Sequence, residues 1–287
     1  MMDCGTAGTI GGRSEHGAPK LLCSSGAFSR ESDQRDHHPI VEYGPQLAAD
    51  GVIGIEVIFY SHWSERQGQI TANLRASSLR FPVVHAEKSI GLLLVSGQPA
   101  DTVLAIERLR RNCQFARDLD ADLVVLHLWG SPGSDEHIER NLASLPACLD
   151  VAQNYGLTQA VETIPGTVSD PLALSEIAIA RDARCTIALD SEFLAFHDQL
   201  EEVFDAKWLW ERDQDNQGNR VRHIHVKDYD GALVSPEGRR RYLHPGEGSI
   251  DFTRLFARVT RTQLHGQCEP RSVSSGPRRH RPSGAAA

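Results

Sequence analysis

Two histidines alternate with apolar residues in residues 221–228, which read Val-Arg-His-Ile-His-Val-Lys-Asp. Residues two apart in a β-strand point to the same side, so His223 and His225 share one face. Asp228 follows directly after the predicted strand. The segment is typical of one wall of a metal or acid/base site, with an edge strand that carries solvated histidines as the alternative.

Carboxylates and imidazoles also lie within or at the end of other short apolar segments. These residues are Glu56, His85, His127, Glu162, Asp190 and Glu269. Each of them alone is more often structural than functional. In a barrel of parallel strands, however, the carboxyl ends of all strands meet at one rim, where the active site lies. Together with His225, these groups of metal-ligand type therefore predict a common site.

The segments that must position these groups form a repeating β/α pattern. Eight β-rich segments occur at residues 20–23, 52–59, 82–85, 123–127, 158–162, 185–190, 221–226 and, more weakly, 264–269. Amphipathic helical patterns lie between most of them, for example at 64–79, 101–118, 136–155 and 170–181. The spacing of about 30 to 40 residues is the length of a βα unit with its crossover helix. The pattern predicts an α/β fold.

The favoured architecture is a closed (β/α)8 TIM barrel over residues 19–270. A doubly wound open sheet is the alternative. It is disfavoured in its nucleotide-binding forms because no Gly-rich phosphate turn follows an early strand.

The composition fits one globular barrel and disfavours other classes. The 287 residues accommodate a barrel of roughly 250 residues plus tails. Lysine and arginine number 30 against 38 aspartates and glutamates, and a formal charge of −8 is unlike a nucleic-acid-binding surface. No apolar run approaches the roughly 20 residues of a membrane span. The six cysteines form no Cys-x-x-Cys pair, which predicts reduced thiols and a cytoplasmic location.

Both ends of the chain depart from the β/α pattern. Residues 1–18 are Gly-rich and polar without an apolar signal core, and they predict a disordered leader. Residues 271–287 are basic, with one valine as their only large apolar residue. They cannot bury an amphipathic stripe, so we expect a disordered basic tail in place of a normal eighth helix. A tail that binds a partner is the alternative, and loss of the helix would impair activity by leaving Glu269 poorly positioned.

Clustered carboxylates and imidazoles, without a set of thiolates, are ligands preferred by Mn²⁺, Mg²⁺, Co²⁺ or Zn²⁺. Two glutamates, an aspartate and a histidine would leave coordination positions open to substrate oxygens. The ion could then polarise a hydroxyl or carbonyl and stabilise an enediolate. Glutamates on either side of a bound sugar could take and return a proton at the neighbouring carbon.

Several motifs strengthen this interpretation: Gly-Ile-Glu at 54–56, residues 116–127, Val-Glu-Thr-Ile-Pro at 161–165 and Leu-Asp at 189–190. His-Ile-His-Val-Lys-Asp at 223–228 and Pro-Gly-Glu-Gly-Ser-Ile-Asp-Phe at 245–252, in tandem, are the most specific. The set resembles the xylose isomerase-like (β/α)8 superfamily of sugar phosphate isomerases and epimerases, which also contains apurinic endonucleases of the endonuclease IV type. The matching motifs span residues 19–271.

The resemblance implies a ligand set and an acid/base pair. The implied metal ligands are Glu162, Asp190, His225 and Glu269. Glu162 and Glu269 would also form the acid/base pair in the ketose-epimerase branch. His85 and His127 match positions whose histidines bind additional zinc ions in the endonuclease branch.

Further residues are candidates for substrate binding. By the same resemblance, Lys227 would lie near substrate oxygens, and Arg271 matches a residue that often follows the final glutamate. Arg271, His85 and His127 are therefore also candidates for substrate binding. In the loops, His62 and Trp129 could stack on or bond a sugar ring, with packing on the barrel rim as the alternative. Glu247 is expected to shape the loop before the last helix.

Two departures from the superfamily favour its sugar branch. Phe193 stands three residues after Asp190, where the family often carries a histidine. Residues 241–244, Arg-Tyr-Leu-His, replace the Asp-Arg-His segment of the endonucleases. A three-ion cluster of the endonuclease kind would therefore lack ligands.

We expect a metal-dependent isomerase or epimerase that acts on a sugar, a sugar phosphate or a keto-polyol through an enediolate. A zinc phosphodiesterase of the apurinic endonuclease type is one alternative, and a degenerate non-catalytic barrel is the other. The expected partner is a small-molecule sugar or polyol, with no nucleic acid and no membrane. A homo-oligomer is left open.

Overall fold

The computed structural model describes residues 8–13, 19–27, 36–77, 79–130, 134–210 and 220–264. Its strands are β1 (Gly8–Arg13), β2 (Pro19–Ser24), β3 (Ile55–Ile58), β4 (Val83–His85), β5 (Leu123–Leu126), β6 (Thr158–Glu162), β7 (Thr186–Asp190) and β8 (Val221–Val226). Its α-helices are α1 (His38–Ala49), α2 (Gln67–Ala76), α3 (Ser89–Val95), α4 (Pro99–Asp118), α5 (Ile138–Asn154), α6 (Pro171–Arg181), α7 (Ser191–Phe196), α8 (Leu200–Asp205), α9 (Lys207–Trp210) and α10 (Phe252–Leu264). Short 3₁₀ helices span Ser25–Ala27, Ser61–Arg66 and Ser134–His137.

The strands of the described residues form a closed barrel in the order of the sequence, β1 to β8. From β2 to β8, each strand pairs in parallel with the next one along the chain. β1 pairs antiparallel with both β2 and β8. The TIM-barrel prediction is confirmed, and the carboxyl ends of the parallel strands meet at one rim.

Barrel closure differs from the prediction. The closing strand is β1, which lies within the segment predicted to be a disordered leader, and its Gly8 and Gly11 pair with Val226 and His223 of β8. Of the strand predicted at 264–269, Leu264 instead ends α10, and residues 265–269 lie outside the described residues. Pairing with β1 occupies backbone groups that β2 and β8 would otherwise expose as sheet edges. Such pairing needs backbone groups alone, so a Gly-rich composition did not reveal it.

The barrel interior holds a layer of apolar side chains beneath the polar rim. This layer consists of Leu22, Val83, Leu123, Val125, Ala160 and Ala188. Residues two apart along a strand point to the same side. The residues two positions after Val83, Val125, Ala160 and Ala188 therefore face the same interior, and these are His85, His127, Glu162 and Asp190.

A second, larger apolar cluster joins the outer face of the strands to the helices. Local signals place these helices. In α6, for example, Pro171 occupies the first turn and the Asp170 side chain accepts a hydrogen bond from the Ala173 backbone N–H at 2.7 Å. Among the described residues, no helix combines the length and apolar character that a bilayer span requires.

Candidate metal centre

Glu162, the last residue of β6, is the central carboxylate of the rim and is buried. Its Oε2 lies 3.0 Å from Nε2 of His85 and 2.6 Å from Nε2 of His127. Its Oε1 lies 2.8 Å from Nδ1 of His225. Three imidazoles from β4, β8 and the residue after β5 thus converge on one carboxylate, because period-two alternation points all of them inward.

Asp190, the last residue of β7, stands beside this group and is fully buried. Its Oδ2 forms an ion pair with Nζ of Lys227 and lies 3.8 Å from Nδ1 of His225. Its Oδ1 accepts hydrogen bonds from the backbone N–H groups of Glu192 at 3.1 Å and Phe193 at 3.3 Å. One carboxylate oxygen therefore anchors the start of α7, and the other faces the site.

The ligand atoms of Glu162, Asp190 and His225 all lie within 4.8 Å of one another. Two carboxylates and an imidazole are suitable donors for a hard or borderline divalent cation. These predicted ligands therefore come together and fit such an ion. Glu269 and Arg271 lie outside the described residues, so the predicted fourth ligand and its neighbour remain predictions.

A second group of ligand type shares Glu162. Nitrogen atoms of His85 and His127 and a Glu162 oxygen also lie within 4.8 Å of one another. Both histidines, predicted to line the substrate site, are buried at the rim. Glu162 could therefore contribute one oxygen to each of two neighbouring ion positions.

Charges within the cluster compensate one another. Burial raises the pKa of Glu162, but the charges and hydrogen bonds of His225 and His127 outweigh burial and hold it well below its usual value. Burial lowers the pKa of His225, but the carboxylates of Glu56 and Glu162 outweigh this and raise it well above its usual value. The ionised carboxylates and the imidazolium thus stabilise one another where water is excluded.

Burial has the dominant effect on two other groups. It raises the pKa of Asp190 to about 6, against the opposing charge of Lys227. It lowers the pKa of His127 to about 4, against the opposing charge of Glu162. His127 is therefore neutral near pH 7, the form in which imidazole binds metals.

The structure places the two loop residues predicted to contact a sugar in different surroundings. His62 is exposed in a 3₁₀ helix and stacks on Tyr60, with ring centroids 5.8 Å apart. Trp129 is fully buried, and its indole N–H donates to the Ile164 carbonyl at 3.0 Å. Trp129 therefore fixes the segment after β6, and its side chain packs in the core, whereas the alternative interpretation placed it on the barrel rim.

The sequence placed Asp228 in one wall of a metal or acid/base site, but in the structure it holds a loop. Its carboxylate accepts hydrogen bonds from the backbone N–H groups of Tyr229, Gly246 and Gly248, each at 2.8 Å, and of Ile250 at 3.0 Å. Among the described residues, it belongs to no group of metal-ligand type. Asp228 shapes the loop between β8 and α10, because its oxygens are already occupied by backbone donors.

A partly buried ion pair beside the site was missed by sequence reasoning. Glu192 is buried, and its carboxylate pairs with the guanidinium of Arg240 and lies 3.6 Å from Nζ of Lys227. Phe193 underlies Nζ of Lys227 at 4.5 Å from the ring centroid. The glutamate two residues after Asp190 was the available signal, but its partner is 48 residues away in the chain.

Together these observations define a class: a parallel α/β barrel with a cluster of carboxylate and imidazole ligands at its carboxyl rim. The sequence matches the family described as xylose isomerase-like TIM barrel over residues 45–282. The chain therefore belongs to the xylose isomerase-like TIM barrel family. A comparison with curated protein sequences gives no significant match.

Solved structures of several proteins share the fold. A D-tagatose 3-epimerase-like protein is 20% identical, with a TM-score of 0.52 over 73% of this chain and 78% of that one. D-psicose 3-epimerase, solved in the presence of D-fructose, is 13% identical, with a TM-score of 0.56 over 78% and 75%. The IolI protein with a bound zinc atom is 15% identical, with a TM-score of 0.52 over 75% and 77%. At these identities the likeness establishes the fold.

Proposed function

We propose that this protein is a divalent-metal-dependent sugar isomerase or epimerase. The observation that carries the proposal is the buried group of Glu162, Asp190 and His225 at the carboxyl rim of a xylose isomerase-like barrel. The proposed substrate is a ketose, a ketose phosphate or a keto-polyol, in which a proton next to a carbonyl can be removed.

Each residue of the group has a proposed task. Glu162 and Glu269 remove and return the proton on opposite faces of the substrate carbon. Asp190 and His225 complete the ion site, and Lys227 contacts substrate oxygens from the end of β8. A bound divalent cation would supply the electrophile that stabilises negative charge on the substrate oxygens.

Proteins with a similar fold support a sugar as the substrate. Structural neighbours include a D-tagatose 3-epimerase-like protein and D-psicose 3-epimerase. A zinc-bound neighbour, IolI, supports a divalent ion in a barrel of this kind. The buried free thiols of Cys113, Cys148 and Cys185 support a reducing, cytoplasmic location.

The test combines metal analysis with proton exchange. The purified protein is analysed for bound metals, stripped with a chelator, reloaded with Mn²⁺, Mg²⁺, Co²⁺ or Zn²⁺, and incubated in D₂O with ketoses, ketose phosphates and keto-polyols. We expect metal-dependent deuterium incorporation next to the carbonyl, lost in Glu162→Gln. A matched control is Glu87→Gln, since Glu87 is equally buried but bonds to Asn112 and Arg108 of α4. Exchange that survives Glu162→Gln, or no exchange with any metal, would refute the proposal.

A zinc phosphodiesterase is the second candidate, favoured by the group of His85, His127 and Glu162. This group offers an additional ion position that shares Glu162, and paired ions are suited to phosphate-ester hydrolysis. The two candidates differ in zinc content and in substrate. Two zinc ions per chain with cleavage of DNA at an abasic site would favour the phosphodiesterase, and deuterium exchange into a ketose would favour the isomerase.

A further inference from the structure

Glu56 is a buried carboxylate to which the proposed chemistry assigns no task. It is the second residue of β3 and is 1% exposed. Ile58, two residues further along the strand, pairs with His85 of β4, so Glu56 lies one side-chain layer deeper in the barrel than His85. A buried carboxylate at this depth must have partners, because an uncompensated charge there is strongly unfavourable.

One partner of Glu56 is His225, on the far side of the barrel interior. Nε2 of His225 lies 2.9 Å from Oε1 of Glu56, a hydrogen bond between residues 169 positions apart in the chain. The strands that carry them, β3 and β8, are not neighbours, since β1 and β2 lie between them in the barrel. The contact therefore crosses the interior beneath the rim.

The two ring nitrogens of His225 face different groups. Nδ1 lies 2.8 Å from Oε1 of Glu162 and 3.8 Å from Oδ2 of Asp190, on the side of the ion position. Nε2 is directed at Glu56. In the neutral ring, the form that binds a metal, a proton on Nε2 donates to Glu56 and leaves the lone pair of Nδ1 for a cation.

We propose that Glu56 is a positioning residue that orients His225 and holds its proton on Nε2, so that Nδ1 binds the catalytic divalent ion. Carboxylates hydrogen-bonded to a metal-binding histidine fix its tautomer and ring orientation and increase its basicity as a ligand. The inference rests on the metal centre of the proposed function, and it assigns the ligand atom as well as its support.

His223 forms, with Glu56 and His225, a competing ion position. Its Nε2 lies 3.7 Å from Oε2 of Glu56, and its ring is perpendicular to that of His225, with centroids 5.0 Å apart. Glu56, His223 and His225 also form a group of metal-ligand type. An ion held in that group would occupy Nε2 of His225 and displace its proton, which is the opposite of the proposal.

Zinc alone serves as the probe, without any sugar. Affinity is measured by competition with a chromogenic chelator for the wild type, Glu56→Gln, Glu56→Met and the control Glu87→Gln. Glu56→Met removes the acceptor at similar volume, and we expect it to weaken zinc binding about 10- to 100-fold. Glu56→Gln keeps an acceptor oxygen and should have a smaller effect. The control should bind like the wild type, and thermal unfolding checks that each variant is folded.

Histidine ¹⁵N chemical shifts in the zinc-loaded protein give a readout that a merely structural role would not produce. His225, assigned by comparison with His225→Asn, should show zinc on Nδ1 and a proton on Nε2. In Glu56→Met the Nε2–H signal should shift or broaden by exchange with water. Zinc on Nε2, or unchanged affinity in folded Glu56 variants, would overturn the proposal.

These measurements distinguish failure of the positioning role of Glu56 from failure of the proposed isomerase function. If zinc binding depends on Asp190 and on Glu56 but no sugar exchanges its proton, the positioning role holds and the isomerase assignment fails. If zinc binding depends on Asp190 but not on Glu56, only the positioning role fails. If Asp190→Asn leaves zinc binding unchanged, zinc does not bind at this centre and both proposals fail.

Discussion

Two buried aspartates near the ends of adjacent strands are held in opposite ways. Asp228 accepts hydrogen bonds from four backbone N–H groups of its own loop, and these bonds hold its pKa below the usual value although burial raises it. Asp190 pairs one oxygen with the Lys227 side chain, and burial raises its pKa to about 6. A side-chain cation can move aside, but backbone donors cannot leave without unfolding the loop. Asp190 is therefore suited to exchange its partner for a ligand, and Asp228 is suited to hold structure.

The loop around Asp228 explains why its sequence motif is so specific. Gly246 has a φ of +96°, which glycine adopts readily. A Cβ atom on Gly248 would lie 2.4 Å from the Tyr229 carbonyl oxygen and 2.5 Å from Oδ1 of Asp228. Both glycines bring backbone N–H groups to one carboxylate, so the Pro-Gly-Glu-Gly turn is a structural partner of Asp228.

The largest effect is expected for Asp190→Asn. The variant retains an acceptor for the first turn of α7 but loses the negative charge that a cation requires. We expect zinc affinity to fall more than about 100-fold, beyond the usual effect of a residue that only supports a ligand. Chelator competition measures the change, and retention of zinc would place the ion elsewhere.

Asp228→Ala should give the converse result. It leaves buried backbone N–H groups without their acceptor, so we expect the free energy of unfolding to fall by about 3 kcal/mol. Urea denaturation measures this loss. Zinc affinity of the folded variant should stay within about twofold of the wild type. A larger decrease would show that the Asp228 loop also supports the ion site at Asp190.

The pH dependence of stability should distinguish Asp228 as well. Because its pKa is lowered in the folded protein, its stabilising effect is complete above the usual aspartate value of about 3.9 and is lost as pH falls through the lowered folded value. The difference in Tm between the wild type and Asp228→Asn should therefore shrink between pH 7 and pH 3. A difference that stays constant or grows in acid would contradict this account.

The smallest effect is expected for Glu247→Gln in the same loop. The exposed Glu247 carboxylate accepts one hydrogen bond, from the His244 backbone N–H at 2.8 Å, and glutamine keeps an acceptor there. The free energy of unfolding should change by no more than about 0.5 kcal/mol. Equal destabilisation by Glu247→Gln and Asp228→Ala would show that burial of a carboxylate does not determine how much it stabilises the loop.

The sequence predicted much of the fold and part of the site because both depend on local alternation. Apolar strands that end in His85, Glu162 and Asp190 identify interior positions without any knowledge of neighbours. The antiparallel closure by β1 had no such signal, since it depends on the unpaired edges of β2 and β8. The pairing of Glu192 with Arg240 was missed for a similar reason, because the local sequence around each residue does not indicate its distant partner.

By itself, the sequence determined the residue types at the rim and the strand period that turns them inward, since alternation is a property of the backbone. Only the tertiary structure decided which ring nitrogen of His225 faces Glu162 and which faces Glu56, 169 positions away. It also decided that Asp228 serves its loop while Asp190 faces the site. Partner choice among buried charges depends on distances across a closed barrel, and these distances exist only once all the strands are in place.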